Sequence, residues 1–179
     1  MTKPPAPQAP FTRLKIRSSA LVFCGDEVAL IRRDRADSVH YTTIGGNVEG
    51  SEPLPDALRR ELGEELRLDV GQAEGGELLW IVDQRVSRPG PTPAPRKLHL
   101  VYRYHVTEDT RATLAEQEID ELTHGSCEVG TIEWIDYRKT ADLPLFPPIG
   151  PALAALPSPR AHVTNAELPA VTDQNYSWV

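Results

Sequence analysis

The sequence predicts a single α/β domain, and three observations carry that prediction. Segments with strand-like alternation stand on both sides of one strongly amphipathic helix, and a shorter helical segment over residues 149–156 is placed to cap the second face of a sheet. The length, 179 residues, suits one domain with a real core. With 40% hydrophobic and 25% charged residues, the composition is that of an ordinary soluble protein and excludes a disordered or fibrous chain.

The elements follow in order. Residues 1–10 (MTKPPAPQAP) hold four prolines and almost no large side chains, so a disordered tail is expected there. The domain is expected to span residues 11–156. Leu14, Ile16 and Ala20 to Phe23 predict a strand, Cys24 to Glu27 a turn, and Val28 to Ile31 the returning strand. Arg32, Arg33 and Arg35 then read as a solvated loop, with a phosphate-facing patch as the functional alternative. His40 to Ile44 alternates as a short strand delivering Gly45 and Gly46, where a backbone without Cβ brings a carbonyl close to a ligand. His40 and Tyr41 suit a packed strand pair, with stacking on a base as the alternative.

The helix is the centre of the reading. Leu54, Leu58, Leu62 and Leu66 recur at every fourth position and draw one apolar stripe; Pro55 suits a first turn and Asp56 complements its dipole. On a wheel of roughly 100° per residue, Glu65, Glu61 and Glu64 fall about 20°, 60° and 120° to one side of Leu58. These glutamates border the buried stripe, and Glu52 lies just upstream beside a glycine turn. Ionised carboxylates crowded at this spacing repel one another, and partial burial makes the conflict worse. A divalent cation resolves it, and oxygen-only ligation suits Mg2+ or Mn2+.

Beyond the helix, Glu77 to Val82 predicts a strand. Residues 86–97 (VSRPGPTPAPRK), with four prolines, predict a loop carrying Arg88, Arg96 and Lys97 beside Arg85. Arg85, Arg96 and Lys97 are candidate substrate contacts, because a chain of formal charge −7 must recruit an anionic ligand through local cations. Leu98 to Val106 predicts a central strand; His99 and His105 share one parity and are read as structural. Residues 113–129 read as a solvated loop with Glu116, Glu118, Glu121 and Glu128, and Thr131 to Ile135 as another strand. From residue 157 to 179 a tail is expected, in which Tyr176 and Trp178 are the groups able to dock.

The negative charge argues against a nucleic-acid groove. Two cysteines, Cys24 and Cys127, fit a reducing cytoplasm better than a disulfide scaffold. No apolar run approaches the ~20 residues of a membrane helix, and no signal-peptide core is read at the N-terminus.

Gly46, five residues, Glu52, seven residues, then Arg60-Glu61-Leu62-Gly63-Glu64-Glu65-Leu66-Arg67-Leu68 resembles the Nudix box. The resemblance implies an α/β/α sandwich with a mixed β-sheet between helices. It implies metal-dependent hydrolysis of a pyrophosphate bond in a nucleoside diphosphate linked to another moiety, with Mg2+ or Mn2+ as cofactor. Carried over by position, Glu61, Glu64 and Glu65 would hold the metal, with the Gly46 carbonyl as a further ligand. Arg60 would orient the carboxylates and Glu52 would support that network. The general base would lie inside the box or among Glu116, Glu118, Glu121 and Glu128; relatives also suggest a homodimer. Arg67 stands where the box has glycine, so the helix is expected to end differently, running on to Leu68 before Asp69. Ile44 stands where many relatives have proline. Two other readings are a non-hydrolytic nucleotide- or ADP-ribose-binding module and isomerisation of a prenyl diphosphate. The latter needs a reactive cysteine that neither Cys24 nor Cys127 supplies in a telling context.

Overall fold

The computed structural model describes residues 13–87, 92–121 and 125–177. Strand β1 (Leu14–Cys24) lies near the middle of a mixed sheet. It turns at Gly25 and Asp26 into β2 (Glu27–Arg35), which is followed by β3 (Ser38–Thr42) and β4 (Ile44–Asn47). Helix α1 (Leu54–Leu66) comes next, then β5 (Glu74–Arg85) and β6 (Arg96–His105). A single helical turn, α2 (Glu108–Arg111), precedes the hairpin β7 (Gln117–Glu121) and β8 (Cys127–Asp136). The described chain closes with β9 (Leu145–Phe146), α3 (Gly150–Ala154) and β10 (Val171–Thr172). The main path is β10-β5-β6-β1-β2-β3-β9, with β4 added to β1 and the β7–β8 hairpin to β2. β1 runs parallel to β6 but antiparallel to β2 and β4, so the sheet is mixed as the resemblance implies.

Period-2 alternation sorts the strand residues onto two faces. Ala20, Val22, Ala29 and Ile31 meet Leu58, Leu62 and Leu66 of α1. Leu21, Phe23, Val28 and Leu30 meet Ile149, Leu153 and Leu156 around α3. Helices therefore cover both faces, and the leucine stripe read from the sequence is the stripe that α1 buries. Each of its three inner leucines is at most 2% exposed, a setting in which Leu→Ala costs about 2–5 kcal/mol.

Several boundaries differ from the sequence reading. The returning strand runs on through Arg32, Arg33 and Arg35, pairing with β3 up to Ser38, so these arginines belong to a ladder and not to a loop. Arg96 and Lys97 likewise open β6, paired with Leu14 and Lys15 of β1; Arg88 lies outside the described residues. Glu118 and Glu121 sit in a strand, and Glu118 is buried. Helix α1 stops at Leu66 and does not continue to Leu68. Arg67 itself takes the left-handed conformation (φ 56°, ψ 30°), with the Arg67 and Leu68 N–H groups donating to the Gly63 and Leu62 carbonyls. The glycine's conformation is thus kept by a residue that pays a steric cost of about 1–2 kcal/mol for it. Burial of Leu68, 1% exposed, and two satisfied carbonyls offset that cost.

Residues 158–177 are not a loose tail but part of the domain. Ile81 exchanges hydrogen bonds with Ala166 and Leu168, β10 extends β5, and the buried Arg103 guanidinium donates to the Pro159 and Ala161 carbonyls at 2.9 Å. Trp178 and residues 1–12 lie outside the described residues. Among the described residues no helix is long and apolar enough to cross a membrane.

Candidate active site

The site forms where β4 crosses between β1 and α1. Gly45 and Gly46 pair with Ser19 and Ser18 of β1. A side chain at Gly45 (φ 141°) would enter the backbone of Ser18 and Ser19, and one at Gly46 would strike the Glu61 carboxylate. Two residues without Cβ therefore let helix and strand approach until carboxylates touch backbone. The Gly45 N–H donates to Glu65 Oε2 at 2.6 Å, and Arg17 Nη2 donates to the Gly45 carbonyl at 3.0 Å.

Glu61 and Glu65 face a cavity of about 400 Å3 whose other polar walls include Arg17, Arg33, Asp120 and Glu128. Burial pushes the Glu65 carboxyl up to about 8; the Gly45 N–H opposes the shift, while Glu61 and Glu118 add to it. Burial also raises Glu61, against the pull of the Arg60 guanidinium. Burial lowers Arg17, with Glu65 and Glu61 working the other way. The cavity thus holds two sheltered carboxylates whose charged forms are disfavoured. Neither Arg17 nor Arg33 makes an ion pair with them among the described residues.

Arg60 organises the outer side. It donates to Glu52 (2.8 Å), Glu61 (2.8 Å), Glu64 (3.2 Å) and the Asn47 carbonyl (3.1 Å), while the Glu49 N–H donates to Glu52 at 2.8 Å. Arg60 and then the Glu49 N–H hold the Glu52 carboxyl below the usual range. Glu64 is 62% exposed and turned toward Arg60, so the helix presents two carboxylates to the cavity and one to solvent. Among the described residues no three His, Cys, Asp or Glu side chains form a metal-holding cluster.

The other sequence candidates fall elsewhere. Arg96 grips Asp83 with two bonds of 2.8 Å and Arg85 approaches the same carboxylate at 3.3 Å. Neither they nor Lys97 line the cavity. Glu116 and Glu121 are exposed; Glu128 lines the cavity, and Glu118 is buried against Arg33 Nη2 at 2.7 Å. Arg33 also donates to Thr42 Oγ1 at 2.9 Å, which aligns it along the cavity wall. The sequence does not single out Arg17 or Asp120, and it reads Arg33 as solvated loop with a phosphate-facing patch as the alternative. Arg17 shares β1 with Lys15, Ser18 and Ser19, so its charge alone is no signal.

Fold and site together define a class: an α/β domain whose glutamate-bearing helix meets a glycine strand at an acidic cavity flanked by arginines. The NUDIX domain family matches residues 14–156, and the chain belongs to that family. Among curated relatives it is 30% identical over 125 residues to the NAD-capped RNA hydrolase NudC of Edwardsiella ictaluri (strain 93-146), covering 70% of this chain and 39% of that one. The chain therefore spans about two fifths of that relative's length. Its fold is similar to that of the mutator MutT protein from Bacillus halodurans (TM-score 0.53, 18% identity, 88% of each chain). It is also similar to a C. elegans Ap4A hydrolase in a binary complex (TM-score 0.51, 16% identity, 78% of this chain and 92% of that one). At these identities the likenesses speak for the fold alone.

Proposed function

We propose that the protein hydrolyses the pyrophosphate bond of a nucleoside diphosphate linked to a second moiety, with Mg2+ or Mn2+ as cofactor. The observation that carries this reading is the pairing of Glu61 and Glu65 in one cavity with Arg17 and Arg33. Two sheltered carboxylates fit a hard cation by donor type and by charge, since a cation relieves the repulsion that burial sharpens. Glu61, Glu65 and the Gly46 carbonyl are the cavity groups that would hold it, and Glu64 would join them by turning inward from Arg60. Bound there, it would neutralise charge on the phosphate oxygens.

The chain's own residues do the rest. Arg17 and Arg33 offer fixed donors to phosphate oxygens inside an otherwise acidic protein. Arg60 holds Glu61 in place and keeps Glu52 ionised. Water adds its oxygen to one phosphorus, the bridging P–O bond breaks, and the departing phosphate keeps the bridging oxygen. The water proton passes to a carboxylate; Glu128, which lines the cavity, is the one we assign from the β7–β8 hairpin. Arg85, Arg96 and Lys97 stay proposals for contacts to a larger substrate beyond the cavity.

The test is a panel of ADP-ribose, NADH, diadenosine polyphosphates and nucleoside triphosphates, assayed with Mg2+, with Mn2+ and with chelator. NADH is included because the NudC relative acts on NAD-capped RNA. Product release that requires metal and falls on the order of 100-fold or more in Glu64→Gln is expected. Near-intact turnover in Glu64→Gln contradicts the assignment of Glu64 as a ligand. Tight calorimetric binding of ADP-ribose without turnover would favour a binding module.

A further inference from the structure

A second cavity, of about 460 Å3, adjoins the first, and His40 and Thr42 line both. Its character is opposite. Val39, Leu145, Phe146 and Tyr176 give it apolar and aromatic walls, and Arg35 stands among its lining residues. The rings of Phe146 and Tyr176 lie 5.3 Å apart, tilted by 55°, and Phe146 is in turn edge-on to His99 at 5.5 Å. One polar atom at the junction is unsatisfied: His40 Nδ1 is buried and has no hydrogen-bond partner among the described residues. A buried nitrogen in that state is costly unless something supplies its partner.

Tyr176 does not come from the family-matched part of the chain, which ends at residue 156. It is presented by a small built turn. Asn175 Oδ1 accepts from the Thr172 N–H at 2.8 Å, the Tyr176 N–H donates to the Thr172 carbonyl at 3.0 Å, and Asp173 is pinned by the Ser87 N–H and hydroxyl at 2.8 and 2.7 Å. The segment is anchored by β10 to β5, with Val171 buried. An arrangement held at this many points fixes one ring beside the active cavity, and a fixed ring is what stacking on a flat ligand group requires.

We propose that Tyr176 is a specificity-determining residue: with Phe146 it forms an aromatic wall against which the planar base of a nucleotide packs while its phosphates lie in the Glu61–Glu65 cavity, and His40 Nδ1 bonds that ligand at the junction. This rests on the proposal that the substrate is nucleotide-like, but it concerns a different compartment and is read by binding without turnover. A ligand that spans both cavities needs an anionic part next to an apolar flat part, and a mononucleotide carries both. Sugar phosphates carry only the first.

The test is calorimetry on the full chain, with chelator present so that hydrolysis does not intervene, using AMP, GMP, CMP, UMP and ribose 5-phosphate as probes. The wild type is expected to bind at least one mononucleotide about ten-fold more tightly than ribose 5-phosphate. Tyr176→Leu should weaken that mononucleotide by about ten-fold and leave ribose 5-phosphate within about two-fold, while Tyr176→Phe should retain binding within about three-fold. Should Tyr176→Leu fail to fold, Tyr176→Trp, which enlarges the stacking face, must change the affinity for that mononucleotide by at least about three-fold while leaving ribose 5-phosphate within about two-fold. The proposal is overturned if the wild type shows no preference for any base, if Tyr176→Leu changes nothing, or if it weakens both probe types equally. Tyr176-dependent binding with no turnover of any substrate removes only the hydrolytic reading, and turnover indifferent to Tyr176 removes only this one.

Discussion

With divalent ions chelated, Glu65→Gln is expected to be about 4 kcal/mol more stable than the parent at pH 7.5, while its hydrolytic rate falls on the order of 100- to 1000-fold. The stability gain follows from the raised folded-state value of about 8 against the ordinary 4.5. Between those values the folded protein holds a proton that the unfolded chain has released. Fewer protons on the unfolded chain means that stability falls as pH rises, by about 1.4 kcal/mol per pH unit, until the folded carboxyl itself ionises. A neutral amide keeps the bond from the Gly45 N–H and removes this slope. Urea unfolding from pH 5 to 8.5 in chelator checks it: the two profiles should converge near pH 5 and separate toward pH 8. Parallel profiles would mean that Glu65 is not held protonated by burial. A site residue whose removal stabilises the fold has the signature of a group placed for chemistry at the expense of stability.

Arg33→Ala is expected to cost about 3–5 kcal/mol. Arg33 and Glu118 pair at 2.7 Å with side chains only 10% and 6% exposed. Burial already raises the Glu118 carboxyl against the pull of Arg33, so removing the guanidinium leaves a carboxylate with neither water nor a close partner. Replacing both members, Arg33→Met with Glu118→Leu, should return stability to within about 1 kcal/mol of the parent, because desolvation cancels much of what such a pair gains. Equilibrium unfolding of the two singles and the double completes the cycle. If Arg33→Ala costs no more than about 1 kcal/mol, the pair is not buried in solution. Activity should not return with stability in the double variant, since Arg33 also lines the Glu61–Glu65 cavity.

How much of this was legible in the chain depended on the range of the forces involved. Four leucines at one helical spacing gave α1 nearly to the residue, because a buried stripe is a local pattern that packing cannot displace by a position without exposing it. The same spacing placed Glu61, Glu64 and Glu65 along the border of the core; the structure keeps Glu61 and Glu65 there but turns Glu64 out to solvent, where it meets Arg60. The paired glycines announced close approach, although only the structure shows that the partners are Ser18, Ser19 and a glutamate side chain. What failed were readings that needed partners distant in sequence. Arg33 looked like loop because a charge in a strand is explicable only by Glu118, which lies 85 residues away. Arg96 looked like a free cation for want of Asp83. Residues 158–177 looked like a tail because Val163, Leu168, Val171 and Tyr176 follow no period; Val171 is buried and the other three are partly buried by packing on the same core. Arg67 shows the converse: tertiary packing kept a turn whose local signal, the glycine, is missing.

The claim on which the account turns is that Glu61 and Glu65 together capture a divalent cation. Electron paramagnetic resonance of free Mn2+ titrated with protein measures this without reference to any substrate. The wild type should withdraw Mn2+ from solution, and the Glu61→Gln, Glu65→Gln double variant should do so at least about ten-fold more weakly while remaining folded. Equal withdrawal by both proteins would contradict the account.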